Sequence, residues 1–164
     1  MKAREIMTKS PACCDPSDSI ERAATLMAEH DCGCIPVTED DRLIGVITDR
    51  DIAVRGVAQG KGPNTGVRTL MTSSPCTCTE DIEVKEVERL MAERQLRRIV
   101  VVDDAGHCVG IIAQADLALA AEHAGDVTDK EVARVVERIS EPSPHRDTSA
   151  RTRATRDSEL EQPL

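Results

Sequence analysis

The chain has 164 residues, a formal net charge of -9, and no Phe, Tyr or Trp. An acidic surface argues against the counterion-releasing grip that nucleic-acid backbones require, and the absence of rings argues against single-strand binding on aromatic platforms. The core must be Val, Ile, Leu, Met, Ala and Cys, so any base held here rests between aliphatic side chains.

The acidity belongs to the folded part, because residues 1–121 carry 20 acids against 14 bases. After Pro11, Ala12 to Asp15 reads as a short extended stretch. Asp18 and Glu21 resemble a capping signal before a helix whose apolar stripe is Ile20, Ala23, Ala24 and Met27. His30-Asp-Cys-Gly33 ends that helix, with Gly33 suited to a left-handed cap. Cys34 to Val37 and Leu43 to Ile47 read as antiparallel strands around a turn at Glu39 to Arg42. Thr48 caps a helix from Asp49 to about Gln59.

Gly60-Lys-Gly-Pro-Asn-Thr-Gly66 is a linker by composition. Beyond it the pattern returns: a stripe at Val84, Val87 and Met91, strands at Arg98 to Val102 and Cys108 to Ile112, and a helix from Asp116 to about His123. Val132, Val135, Val136 and Ile139 predict an amphipathic helix over 127–139, and past Pro142 the composition predicts a largely disordered tail.

The return is position by position. Ala3-Arg-Glu-Ile-Met-Thr-Lys-Ser-Pro11 recurs as Val67-Arg-Thr-Leu-Met-Thr-Ser-Ser-Pro75 at an offset of 64, and Gly45-Val-Ile-Thr-Asp-Arg-Asp-Ile-Ala53 recurs as Gly110-Ile-Ile-Ala-Gln-Ala-Asp-Leu-Ala118 at 65. One residue is added between them, in the turn that holds His107. A unit of about 60 residues buries too little surface to be comfortable alone, so the copies are expected to pack on each other.

Seven cysteines, at 13, 14, 32, 34, 76, 78 and 108, are an odd number without a secretion signal. They read as reduced, small apolar side chains rather than disulfides or a metal centre. The four histidines, at 30, 107, 123 and 145, stand at no metal-ligand spacing with them. No nucleophile-base pair is evident, so no catalytic role is expected.

The most informative segment is Gly45-Val-Ile-Thr-Asp-Arg-Asp51, a strand that delivers the Thr48 hydroxyl and then the Asp51 carboxylate at a helix start. A carboxylate there can accept from a vicinal diol, and the free helix N–H groups favour an anion. Thr48 as N-cap and Asp51 answering the helix dipole is the purely structural alternative.

These repeats, with Ile6-Met-Thr, Cys34-Ile-Pro-Val and Leu43-Ile-Gly-Val-Ile-Thr-Asp-Arg-Asp-Ile, resemble the cystathionine-beta-synthase (CBS) domain pair, or Bateman module, over roughly residues 2–122. In layout the chain is similar to small stand-alone bacterial two-CBS proteins, hypoxic-response proteins among them. The resemblance implies an α/β (α+β) fold of two pseudo-symmetric beta-alpha-beta-beta-alpha repeats packed sheet to sheet. Here these are repeat 1 over 1–59, a linker over 60–66, repeat 2 over 67–122, a C-terminal helix over 126–140 and a tail over 141–164.

It also implies two clefts for adenosyl ligands such as AMP, ADP, ATP, NAD or S-adenosylmethionine. In the first, Thr48 and Asp51 match the phosphate and ribose contacts, Ile35 and Pro36 the wall under the base, and the backbone near Ala12 and Cys13 its edge. In the second, Asp116 matches the ribose carboxylate, but Ala113 stands where Thr is expected. Arg97 and Arg98 match the strand entry that faces the phosphates, where the first repeat has Gly33 and Cys34. The first cleft is thus expected to lack the arginine and the second the hydroxyl.

Together these readings describe a non-catalytic regulatory module that binds an adenine nucleotide, needs no cofactor, and acts on an unidentified protein in trans. Without a membrane-length apolar run it is expected to be cytoplasmic, and a homodimer through Ile52, Val54, Val57, Leu117 and Leu119. An interaction scaffold with vestigial clefts, and a cysteine-based redox or metal sensor, are the alternatives.

Overall fold

The computed structural model describes residues 1–124 and 129–141. The expected disordered tail lies outside them, apart from Glu141. The order of elements is α1 (Ala3–Ile6), β1 (Thr8–Lys9), α2 (Ile20–Glu29), β2 (Cys34–Glu39), β3 (Arg42–Thr48) and α3 (Asp49–Asp51) in the first repeat. β4 (Thr72–Ser73), β5 (Thr77–Thr79), α4 (Val84–Arg94), β6 (Arg98–Val102), β7 (Cys108–Ala113) and α5 (Gln114–Ala124) follow, and α6 (Asp129–Ser140) closes the described chain.

The repeats interlock. β2 and β3 form an antiparallel hairpin, yet the strand beside β3 is β4, from the second repeat. In return β1, from the first repeat, pairs with β7, whose sheet runs β1-β7-β6-β5. Two of the isolated bridges, Lys2 to Glu83 and Gly66 to Ser19, repeat the same exchange one step earlier in each copy.

Packing follows pairing. Ala3 and Met7 sink into the second repeat's core among Val84, Val87, Met91, Ile99 and Ile112, while Val67, Leu70 and Met71 sink into the first repeat's core among Ile20, Ala23, Ile35 and Ile47. Glycine makes the room. A Cβ on Gly45 would stand 2.7 Å from Met71 Sδ, and one on Gly110 would stand 2.9 Å from Met7 Cγ. The methionines themselves occupy equivalent positions in the two copies.

Several local readings need correction. Ser19, not Asp18, is the N-cap of α2, its hydroxyl accepting from Arg22 N–H at 3.1 Å. Asp18 instead accepts from Asp15 N–H at 2.8 Å and closes the preceding turn. The buried stripe uses Leu26 where Ala24 was expected, since Ile20, Ala23, Leu26 and Met27 share one face and Ala24 is exposed. The left-handed residue after α2 is Asp31 (φ 47°) rather than Gly33. The β2–β3 turn needs no glycine, because Asp40 and Asp41 both take positive φ, as a tight hairpin requires.

Residues 49–59 do form one helical segment, but it changes character, with a π-helical stretch over Ile52–Gly56 and a 3-10 turn over Val57–Gln59. Gly56 is buried there against Leu70 and Ile20. The added residue of the second hairpin falls where Gly106 adopts φ 84°. Beside it His107 is paired rather than merely solvated, with Nδ1 2.8 Å from Asp103 Oδ2. The expected C-terminal helix is observed as α6, which packs on α4 and α5 and buries Val135 and Ile139. No described helix is long and apolar enough to cross a membrane.

Candidate functional site

β3 ends at Thr48, whose extended backbone makes it the N-cap of α3. Its hydroxyl accepts from Asp51 N–H at 3.1 Å and donates to Asp51 Oδ2 at 2.7 Å, and its own N–H donates to that oxygen at 3.0 Å. This reciprocal cap fixes the carboxylate and commits the hydroxyl proton to it. Asp51 Oδ1 takes no part in the cap and accepts from Arg55 Nη1 at 3.4 Å. In the second repeat, among the described residues, Asp116 Oδ2 accepts only from Ala113 N–H, at 2.6 Å. The Asp116 carboxylate is therefore held by one local bond where Asp51 Oδ2 is held by two.

Thr48 and Asp51 open on a cleft of about 570 Å³, a size suited to a small organic ligand. One side is the start of α3, with Asp49 and Arg50. The other is the exchanged segment of the second repeat, with Thr72, Ser74, Pro75 and Cys76, and between them lie Val46, Val100 and Cys34. Burial pushes the Cys34 thiol up to about 11, against the opposing pull of Arg98.

Arg97 and Arg98 enter the same cleft from β6 and the turn before it. A Cβ on Gly33 would stand 2.6 Å from Asp49 Oδ2 and 3.3 Å from Arg98 Nη2. The bare glycine thus lets a carboxylate and a guanidinium share one corner. Arg50, Arg97 and Arg98 form no ion pair among the described residues. The acids lining the cleft are Asp49, Asp51 and Glu141.

Part of the wall belongs to α6. Gln95, held at φ 52°, donates from Nε2 to the carbonyls of Arg138 at 3.3 Å and Glu141 at 3.2 Å. That tie brings Ile139, Ser140 and Glu141 to the cleft. A second cavity of about 400 Å³ lies beside it, lined by Ala113, Gln114 and Ala115 and by Arg97, Arg98 and Ser140.

The structure gathers Thr48, Asp51, Arg97 and Arg98 into one cleft, and sets Ala113 beside the same two arginines in the other. The expectation that the first cleft lacks the strand-entry arginine is corrected: Arg97 and Arg98 line the same cleft as Thr48. Ile35, Pro36, Ala12, Cys13 and Asp116 do not line either cavity. Ile35 is only 1% exposed and lies in the core, and Pro36 is buried. The exchange is the reason. At the offset of 64, Ala12 and Pro36 correspond to Cys76 and Val100, and it is these partners from the other repeat that line the Thr48 cleft. The same offset was the signal that could have found Ser74, Pro75, Cys76 and Val100. For the end of α6 the sequence held no such signal.

The family model for the CBS domain matches residues 3–56 and again 67–123. The chain belongs to the CBS-domain family. Hypoxic response protein 1 of Mycobacterium tuberculosis is 38% identical over 118 residues, 71% of this chain and 82% of that protein. A solved structure of hypoxic response protein I, with two coordinated zinc ions, matches at 36% identity and a TM-score of 0.66 over 73% of this chain and 98% of that one. Among the described residues no group of three or more His, Cys, Asp or Glu is placed to hold a metal ion. CBSX2 in complex with AMP matches at 27% identity and a TM-score of 0.65, covering 74% and 96% of the two chains. The CBS domain pair of protein MJ0100, in complex with 5'-methylthioadenosine and S-adenosyl-L-methionine, matches at 29% and 0.67, covering 73% and 98%. The family model's second match ends at residue 123, ahead of α6.

Proposed function

We propose that this CBS pair is a non-catalytic regulatory module that binds an adenosyl nucleotide in the Thr48–Asp51 cleft and acts on another protein in trans. The observation that carries the reading is the set of three arginines, Arg50, Arg97 and Arg98, unpaired among the described residues and lining one cleft together with a capped carboxylate, in a chain of net charge -9. Three guanidiniums at one cleft of an acidic molecule suit phosphate oxygens, and Asp51 Oδ1 suits a ribose diol. Val46, Leu96, Val100 and Pro75 offer the aliphatic contact that a base needs where no ring is available. The adenosyl ligands of the two solved CBS pairs support the ligand class.

The second cavity shares Arg97 and Arg98 with the first but has Ala113 in place of a hydroxyl, so for AMP the first cleft is the tighter site. The module works as a homodimer. Val57 and Leu119, 68% and 57% exposed, together with Val54, offer the apolar contact, whereas Leu117 is buried and plays no part in it. Seven free cysteines suit the reducing cytoplasm.

Titrating AMP, ADP, ATP, NAD and S-adenosylmethionine to millimolar concentration while following the melting temperature tests the reading. At least one of them raises it. No shift with any of the five would leave the clefts vestigial and make the chain an interaction scaffold.

A further inference from the structure

The end of α6 lines the Thr48–Asp51 cleft from a part of the chain that the family model does not reach. Val135 and Ile139 seat the helix in the second repeat's core, so its last turn is held by packing. Gln95 sets where that turn stops. It ends α4 at φ 52°, and its Nε2 donates to the carbonyls of Arg138 and Glu141 at 3.3 and 3.2 Å. Glu141 N–H donates to Glu137 O at 3.1 Å, which carries the helical bonding through to Glu141. Ile139, Ser140 and Glu141 thereby join a cleft whose bases are Arg50, Arg97 and Arg98, and Ser140 also lines the neighbouring cavity. Arg138, the cation of that last turn, lines neither.

This wall is negative in two ways. A helix C-terminus carries roughly half a negative charge on its carbonyls, and Glu141 adds a carboxylate. Among the described residues the acids of the lining are Asp49, Asp51 and Glu141, which match the three arginines one for one. The cleft therefore has no surplus of positive charge with which to hold a long phosphate chain.

We propose that Glu141, positioned by Gln95, is a specificity determinant of this cleft: it limits the negative charge the site accepts, so that a nucleoside monophosphate binds better than its triphosphate. The inference rests on the nucleotide reading of the Thr48–Asp51 cleft. Repulsion from a fixed carboxylate grows with the charge of the ligand, and in a site open to solvent it is strongest at low ionic strength. An amide in its place keeps the shape and removes the repulsion, so the triphosphate gains more than the monophosphate.

Calorimetric titration of the full chain with AMP and with ATP, in magnesium-free buffer at low salt, reads the affinity ratio. AMP should bind the parent more tightly. Glu141→Gln should tighten ATP about threefold and AMP less, and raising the salt should erase the difference between this variant and the parent. Glu141→Asp should keep the parent's ratio. Gln95→Asn tolerates the left-handed backbone, but its shorter amide loses the reach to both carbonyls, so it should move the ratio in the same direction as Glu141→Gln. Glu137→Gln, one turn earlier and outside both linings, should leave it unchanged. A parent that prefers ATP, a ratio unmoved by Glu141→Gln or by Gln95→Asn, or an equal shift in Glu137→Gln would overturn the proposal and leave the nucleotide reading standing. Failure of the parent and every variant to bind either nucleotide would overturn both.

Discussion

Asp51 uses one carboxylate oxygen to close its own helix cap and leaves the other, paired with Arg55, outside it, so local order and the proposed ligand contact fall on one side chain. Asp51→Ala removes both, while Asp51→Asn keeps an oxygen for the cap and loses the charge. If Oδ1 holds a ribose, the charge-assisted bond is worth about 1.5–3 kcal/mol, and Asp51→Asn should weaken adenine-nucleotide binding at least roughly tenfold in calorimetry without unfolding the chain.

The buried thiols make a separate statement, about pH. Burial raises Cys14 to about 12 and Cys34 and Cys78 to about 11, from an ordinary 9.0. A folded state that holds thiols protonated gains from them fully below pH 9, and that gain is lost as pH rises through the folded values. The urea midpoint should therefore fall between pH 8 and pH 10.5, and it should fall less in Cys14→Ala than in the parent. Equal slopes for the two proteins would show that Cys14 stays out of the alkaline transition.

Among the elements, β1 and β4 are the shortest strands and the ones that join the repeats. Gly110 admits Met7 of β1's repeat with no space for another carbon. Gly110→Ala should cost about 1–3 kcal/mol by overpacking, read as a lower denaturant midpoint, whereas Gly106→Ala would act through its positive φ alone.

What the sequence made legible here follows a physical division. Helix stripes such as Val84, Val87 and Met91, and the hairpin of Cys34 to Val37 with Leu43 to Ile47, are set by near-neighbour periodicity, and they stand where the pattern put them. The cap residues could be shifted by one, as at Ser19 and Asp18, because both side chains accept hydrogen bonds and only the turn geometry chooses between them. The partner of each short strand is a long-range choice. No local pattern in Thr8-Lys9 or Thr72-Ser73 says which repeat it joins, and the wall of the cleft went to Ile35 and Pro36 for that reason. The end of α6 was equally hidden, since its place depends on Gln95, whose amide reaches two carbonyls more than 40 residues away.

For the molecule as a whole, the large apolar side chains facing outward among the described residues are Val54 and Val57 in the segment closing the first repeat, and Leu119 in the helix closing the second. Closed two-fold association is the commonest way to cover such a face. Light scattering should report twice the 17.8 kDa chain mass at micromolar concentration, and Val57→Asp should return the monomer. A parent that scatters as a monomer would leave that face for another protein.

The shared strands carry a consequence for ancestry and for cutting. Each half of this chain has lent its opening arm to the other, so the linker at 60–66 supplies no side chain to either core; beyond the backbone bonds of Pro63 and Thr65 to the start of α2, it keeps the two halves at high local concentration. Severed there, the halves would still have every reason to hold each other. Residues 1–61 and 62–164 expressed as separate chains should co-purify as one complex, and either alone should be unfolded or should pair with its own twin, which is how a single ancestral repeat would have lived before its gene was doubled.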